Sequence, residues 1–334
     1  MTKRNFRRVA KWVLAATAAV GGISAMPMPA WAEKAAAADI TKVDADFACQ
    51  GEYAGDIGGK KFGAQVIALG GGNFRAVFYP GGLPGDGWEK TMKKSAAEGK
   101  VADGKVTIKG DPYGCEIKEK SLALLDNAGK ELGKLPQVLR KSPTLGAKPP
   151  EGAIVLFDGK NADEWREGAA KLTEDGLLMQ GSNSKKLFGS GKLHVEFMLA
   201  YEPRGRGQGR SNSGVYLQGR YEIQVLDSFG LDGMNNECGG IYSVSEPIVN
   251  MCFPPLSWQT YDVEFTAARW DNGKKTANAQ MTVLHNGVLV QKDAEIPHPT
   301  TAAPAKETAD PSYLYLQEHG SPVRFRNIWF VEAK

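Results

Sequence analysis

The sequence predicts an all-β chain of two domains, the second an antiparallel β-sandwich. Three observations carry that expectation. Polar–apolar alternation recurs in short runs along the second half, and hardly any window has helical periodicity. Forty glycines and eighteen prolines punctuate those runs, which suits short strands and tight turns. A length of 334 residues exceeds one small domain and accommodates two.

In chain order, the first segment is a processing signal. Lys3, Arg4, Arg7, Arg8 and Lys11 form a basic region, Val13 to Ala25 is an apolar run, and Ala30-Trp31-Ala32 is a small-x-small cleavage site. Residues 1–32 therefore read as a signal peptide, and the protein as exported, to the periplasm or the cell surface. The run is too short to span a bilayer, so no transmembrane segment is expected after cleavage. Arg7-Arg8 leaves the choice between the Sec and Tat routes open. Without those five cations the 41 basic residues fall to 36, against 38 acidic ones, and the net charge changes from +3 to −2. The basic balance belongs to the signal, so nothing points to nucleic acid as a partner.

Residues 33–44 are a leader. Residues 45–141 form a small β-rich domain: AQVIAL and FRAVFY are strands joined at Gly70–Asn73, VADGKVTIKG turns at Asp103-Gly104, and residues 121–133 read as strand, turn, strand. Residues 142–153 are a Pro-rich linker. From 154 to 334 strands follow at short spacing: IVLF, KLHVEFMLA, SGVYLQG, YEIQVLD, TYDVEFTAAR, AQMTVLHNGVLVQ with Asn286-Gly287 at its turn, SYLYLQEHG and VRFRNIWFVE. Residues 298–311 form a long exposed Pro/Ala/Thr loop. Four cysteines in an exported chain suggest disulfides, and one per domain, Cys49–Cys115 and Cys238–Cys252, is the economical pairing among three.

The chemistry concentrates in SNSGVYLQGRYEIQVLDS, residues 211–228. Alternation puts Glu222 and Gln224 on one face and Tyr221, Ile223 and Val225 on the other. A one-residue bulge after Gln224 would return Asp227 to the face of Glu222. Two carboxylates on one surface suit glycosidic cleavage; a solvated sheet face gives the same pattern. Near the C-terminus Tyr313, Tyr315, Gln317 and His319 share a face, an arrangement that suits stacking on sugar rings and bonding their hydroxyls. His319 is also a candidate acid or base. Arg324 can anchor a substrate oxygen, and Asn212 joins Gln224, Tyr315 and Gln317 as a substrate-binding candidate. His194 and Glu196 are expected in the same cleft as Glu222. No GxSxG and no HExxH occurs, and GSGK and GRGQGR lack the context of phosphate-binding loops.

AIVLFDG (153–159), the 211–228 stretch and LQEHGSPVRFRNIWF (316–330) together resemble the 3-keto-disaccharide hydrolase family across about residues 151–334. The resemblance implies a concanavalin-like jelly-roll β-sandwich preceded by the smaller β-rich domain. The first domain resembles an N-terminal extension of family members from planctomycete-like bacteria. Laminarinase-type glycosidases of the same fold carry E-x-D-x-x-E; here Glu222, Gln224 and Asp227 read E-x-Q-x-x-D, which departs from an ordinary retaining pair. Family membership implies another reaction. A sugar 3-oxidoreductase acts upstream, and the resulting 3-keto-glycoside is cleaved by β-elimination followed by addition of water. Glu222 or Asp227 would be base or acid, and His319 or Arg324 the electrophilic helper. A divalent metal held by Glu222, Asp227 and His319 could replace that helper. The alternatives are a non-catalytic lectin-like module and an ordinary glycoside hydrolase.

Overall fold

The computed structural model describes residues 36–166 and 170–333; the signal segment 1–32 lies outside the described residues. The ten N-terminal strands are β1 (Gly51–Ile57), β2 (Lys60–Gly70), β3 (Asn73–Pro80), β4 (Leu83–Pro84), β5 (Gly87–Trp88), β6 (Ser95–Ala102), β7 (Lys105–Ile108), β8 (Tyr113–Lys118), β9 (Ser121–Asp126) and β10 (Glu131–Val138). Eight of them close an antiparallel barrel in the order β1-β10-β9-β8-β7-β6-β3-β2, and β4 and β5 form a small excursion between β3 and β6. Closure leaves no unpaired edge, which a short sheet of this size would otherwise expose.

Alternation explains how β2 and β3 serve two cores. Phe62, Ala64, Val66 and Ala68 of β2, with Phe74, Ala76 and Phe78 of β3, point into the barrel. Ile67, Val77 and Tyr79 point out of it, yet are buried in the core of the other half. That is why this central hairpin reads as a nearly continuous apolar run.

The C-terminal half contains β11 (Ile154–Phe157), β12 (Leu178–Met179), β13 (Ser182–Phe188), β14 (Gly191–Met198), β15 (Asn212–Leu217), β16 (Tyr221–Leu226), β17 (Trp258–Thr266), β18 (Arg269–Asp271), β19 (Lys274–Ala277), β20 (Ala279–His285), β21 (Val288–Ile296), β22 (Ser312–Leu316) and β23 (Arg324–Glu332). A seven-stranded sheet runs β11-β23-β14-β17-β20-β21, with β12 paired to β23, and a four-stranded sheet runs β13-β22-β15-β16. Their inner faces pack as a sandwich: Leu193, Val195 and Phe197 of β14, Val263 of β17 and Phe325 of β23 meet Val215, Ile223, Val225, Leu314 and Leu316. The β20–β21 turn is at Asn286-Gly287, both in the left-handed region at φ 52° and 78°.

The expected disulfides are absent: all four cysteines are free. Cys115 sits in the barrel core, and Cys49, which caps a short 3-10 turn, is half-buried against the same core. The Cys238 and Cys252 thiols are hydrogen-bonded to each other, with Tyr261 Oη 3.1 Å from the Cys238 thiol and the Leu226 carbonyl 3.4 Å from the Cys252 thiol. Among the described residues no helix is long and apolar enough to cross a membrane.

Candidate active site on the four-stranded sheet

Strand register builds the site. Asn183 of β13 pairs with Tyr315 of β22, Tyr315 with Tyr216 of β15, and Tyr216 with Glu222 of β16. One row therefore crosses all four strands on the face turned away from the core, since the flanking Leu316, Val215 and Ile223 point inward. The next row holds Gln317, whose N–H donates to the Gly214 carbonyl, and the Gly214–Gln224 pair. Gly214 has no side chain, and the Glu222 carboxylate occupies the space over it; a Cβ at 214 would collide with that carboxylate and with the Tyr216 ring.

The hydrogen bonds follow from these rows. The Tyr216 hydroxyl donates to Glu222 Oε2 at 2.6 Å, and Gln317 Nε2 donates to the Tyr216 oxygen at 3.0 Å. The Tyr315 ring lies 5.5 Å from that of Tyr216. Gln224 Nε2 and Asn212 Nδ2 both donate to Gln208 Oε1, at 3.0 and 3.1 Å. Asn212 Oδ1 and Asn183 Oδ1 are buried with no partner among the described residues. Two unpartnered acceptors beside a carboxylate and a row of phenols suit a polyhydroxylated ligand.

Glu222 is 2% exposed. Burial pushes its carboxyl up to about 7, against the opposing hydrogen bond from Tyr216. Burial likewise raises the Tyr216 phenol, with the Glu222 charge adding to it, so Tyr216 stays a donor. The outer edge of β16 is sealed by two segments. Tyr242 N–H donates to the Glu222 carbonyl, Gln224 N–H to the Gly240 carbonyl, and Glu222 N–H to Thr300 Oγ1. The 298–311 loop is exposed along most of its length, as expected, but Arg220 anchors it through Lys306, Thr308 and Asp310.

The structure brings together Glu222, Gln224, Asn212, Tyr315 and Gln317, and separates the other candidates. No bulge follows Gln224: pairing continues to Asn212–Leu226, which leaves Asp227 off the face of Glu222. Asp227 is instead claimed by a buried cation, with Arg210 Nε donating to its Oδ2 at 2.6 Å. His319 is exposed beyond the end of β22, with no hydrogen bond or ion pair among the described residues. Arg324 belongs to β23 on the other sheet and points out opposite Phe325, so it lies on the far side of the sandwich from Glu222. Glu222, Asp227 and His319 thus do not fit a metal, and no cluster of three His, Cys, Asp or Glu side chains among the described residues does.

His194 and Glu196 also lie on that far face, not in the Glu222 cleft. His194 Nδ1 is 2.6 Å from Asp262 Oδ1, and Arg326 Nε donates to Glu196 Oε2 at 2.7 Å. The linker lies across them: Thr144 Oγ1 donates to Asp262, Gly146 N–H to Glu196, and Asn327 Nδ2 to the Ala147 carbonyl. Sequence reasoning missed Gly214, Tyr216, Gln208 and Asn183. Tyr216 and Gly214 were within reach, because a short turn at 218–220 fixes Tyr216 opposite Glu222. Gln208 lies in a 3-10 turn with no periodicity to betray it.

Comparison with known proteins agrees with this architecture. Residues 152–331 match the 3-keto-alpha-glucoside-1,2-lyase-like domain. A crystal structure from Parabacteroides distasonis ATCC 8503, described as a "putative glycosyl hydrolase", is 34% identical, with a TM-score of 0.51, over 55% of this chain and 85% of that one. Two further structures from the same organism, described in the same words, are 19% and 20% identical, with TM-scores of 0.38 and 0.40; they cover 54% and 59% of this chain and 99% of each of theirs. No functionally curated protein matches. On the match over its C-terminal half, this chain belongs to the 3-keto-alpha-glucoside-1,2-lyase-like domain family.

Proposed function

We propose that the protein cleaves the glycosidic bond of 3-keto-glycosides, with Glu222 as the proton-transferring group. The observation that carries this is a buried carboxylate pushed to about 7, seated on a tyrosine- and amide-lined sheet face. A group titrating near neutrality can both take and return a proton there. A ketone at C3 acidifies the C2 hydrogen. Glu222 takes that proton, the electrons of the C2–H bond pass into the enolate, and their return forms the C1=C2 bond as the C1–O bond breaks. Protonated Glu222 returns that proton to the leaving oxygen, and water then adds across C1=C2, with OH to C1 and H to C2.

Tyr216 is the donor for the enolate oxygen. In the resting site its hydroxyl donates to the Glu222 carboxylate. Once Glu222 is protonated, the phenol is free to donate to the substrate, while Gln317 still donates to the phenol oxygen. Gln224, Asn212 and Tyr315 hold the sugar. An ordinary glycosidase needs a second carboxylate across the bond, and the nearest sequence candidate, Asp227, is committed to Arg210. The reading brings with it an upstream sugar 3-oxidoreductase and, from the pattern of residues 1–32, an exported protein.

The test is release of aglycone or monosaccharide from 3-keto-trehalose or a 3-keto-glucoside, beside the unoxidised sugar, with and without chelator. Cleavage of the keto form alone is expected. Equal cleavage of both forms would favour an ordinary glycosidase. Binding without cleavage of either would favour a lectin-like module.

A further inference from the structure

A cavity of about 1040 Å³ lies away from Glu222, walled by residues 36–51, the β1–β10 side of the barrel, segments 173–177 and 254–257, and the ends of β14 and β23. Its volume is at the upper end of the roughly 300–1,000 Å³ typical of small-molecule sites. Four cations, Lys42, Lys120, Arg140 and Arg324, and four carboxylates, Asp39, Glu52, Glu174 and Asp175, line it; Arg140 pairs with Glu52, and the other six are in no salt bridge among the described residues. The formal charges balance, so the cavity carries no net charge that would select an ion. What remains is a mixed set of strong donors and acceptors. Among the described residues the Arg324 side chain donates only to its neighbour's carbonyl, that of Val323, at 3.3 Å, which leaves most of its N–H groups unused there. Gln50, 5% exposed, also lines the cavity, and its Nε2 has no partner although its Oε1 accepts from Ala68.

Between these polar groups stand apolar surfaces. Leu139 lines the cavity while 85% exposed, and Pro254 and Pro255 lie on the wall with it. Donors on Lys42, Lys120, Arg324 and Gln50 and acceptors on Glu174, Asp39 and Asp175, the last two already taking a hydrogen bond from Thr41 and Thr173, are interleaved with apolar plates. Such a lining matches a neutral polyhydroxylated chain, whose hydroxyls serve both roles and whose ring faces cover the apolar surface.

We propose that this cavity is a second, non-catalytic binding site for a neutral oligosaccharide. It anchors a chain independently of the chemistry at Glu222, so its existence does not depend on the keto-glycoside reading.

The experiment is calorimetric titration of the full chain with maltohexaose, cellohexaose, laminarihexaose and xylohexaose, followed by saturation-transfer NMR on any hexaose that binds. Binding of at least one neutral hexaose is expected. Arg324→Gln and, separately, Glu174→Gln should each weaken it by about tenfold, while Tyr315→Ala leaves it unchanged. Melting curves of the variants identify any that misfold, and Leu139→Asp, at an exposed position, provides a second probe expected to abolish binding. Absence of binding by all four hexaoses overturns the proposal. So does binding that Tyr315→Ala abolishes and Arg324→Gln leaves intact, because that places the sugar on the Glu222 face.

Discussion

A carboxylate that titrates near neutrality must be kept from water and from cations, and it needs a partner that does not ionise with it. Glu222 meets these conditions through particular neighbours. Its charge is desolvated by burial, and among the described residues its one side-chain hydrogen bond comes from a phenol that stays protonated. Replacement by Gln removes the proton carrier and keeps the shape, so turnover should fall by about 10²–10⁴-fold while binding of the keto-glycoside survives; a kinetic assay beside equilibrium titration reads both. The stability effect has the opposite sign. A carboxyl raised from 4.5 to about 7 is harder to ionise folded than unfolded, so stability is fully present below 4.5 and declines as pH rises toward 7. Glu222→Gln should therefore be more stable than the parent above pH 7, by on the order of 3 kcal/mol, and this gain should vanish below pH 4.5. Melting curves at acid and alkaline pH check it, and a constant difference would contradict the raised carboxyl. Gly214 tests the seat itself. Gly214→Ala drives a methyl into the carboxylate and the Tyr216 ring, so turnover should drop by at least about 10²-fold. Loss of turnover with little change in melting temperature is the expected signature of displaced geometry.

At the scale of elements, the 142–148 linker is fastened rather than loose. Burial pushes the Glu196 carboxyl up, but hydrogen bonds from His194, Asn327, Arg326 and the Gly146 N–H override it and hold the group at about 2. Burial likewise depresses His194, and its bonds to Asp262 and Glu196 override that and leave it raised. The signs differ. Glu196 contributes fully above 4.5 and loses its contribution as pH falls toward 2. His194 contributes fully below 6.5 and loses its contribution as pH rises through its folded value. The linker is thus held best between about pH 4.5 and 6.5. Limited proteolysis should cut it faster as pH rises above that window, and His194→Gln should flatten the alkaline dependence. Equal cutting rates of parent and variant at every pH would remove the imidazolium from the account. This fastening was illegible in the sequence. Pro143, Pro149 and Pro150 do indicate extended backbone, but extended backbone can hang free or lie along a sheet, and only the pairing of β14, β17 and β23 gathers His194, Asp262 and Arg326 beneath it.

At the scale of the whole molecule, the two halves share a hydrophobic core. Ile67, Val77, Tyr79 and Trp88 of the barrel segment belong to the same buried cluster as Phe229, Met251 and Phe253 of the sandwich. Arg210 ties them again, with its Nη1 on the Ala68 carbonyl and its Nε on Asp227. Breaking such a pair leaves a buried charge, so Asp227→Ala should cost about 3–5 kcal/mol of stability, visible in denaturant midpoints. Calorimetry of the full chain should show one cooperative transition for residues 45–333, whereas two well-separated transitions would mean that the barrel and sandwich fold as independent units.

The sequence by itself determined the strand pattern, the positions of most turns, and which face of β16 carries Glu222 and Gln224, because alternation and turn chemistry are local properties. It also placed Tyr315 and Gln317 on one face of the segment that holds β22. The tertiary structure alone decided the rest. It put β22 beside β15, so that Tyr315, Tyr216 and Glu222 share a row, and it sent Arg324 to the opposite sheet. It paired Asp227 with Arg210, sealed the outer edge of β16 with residues 239–242 and Thr300, and closed the first eight main strands into a barrel. The physical reason is the same in each case. Period-2 patterning tells inside from outside within a strand, but which strands become neighbours depends on long-range packing, and it is neighbours that turn a polar face into a site.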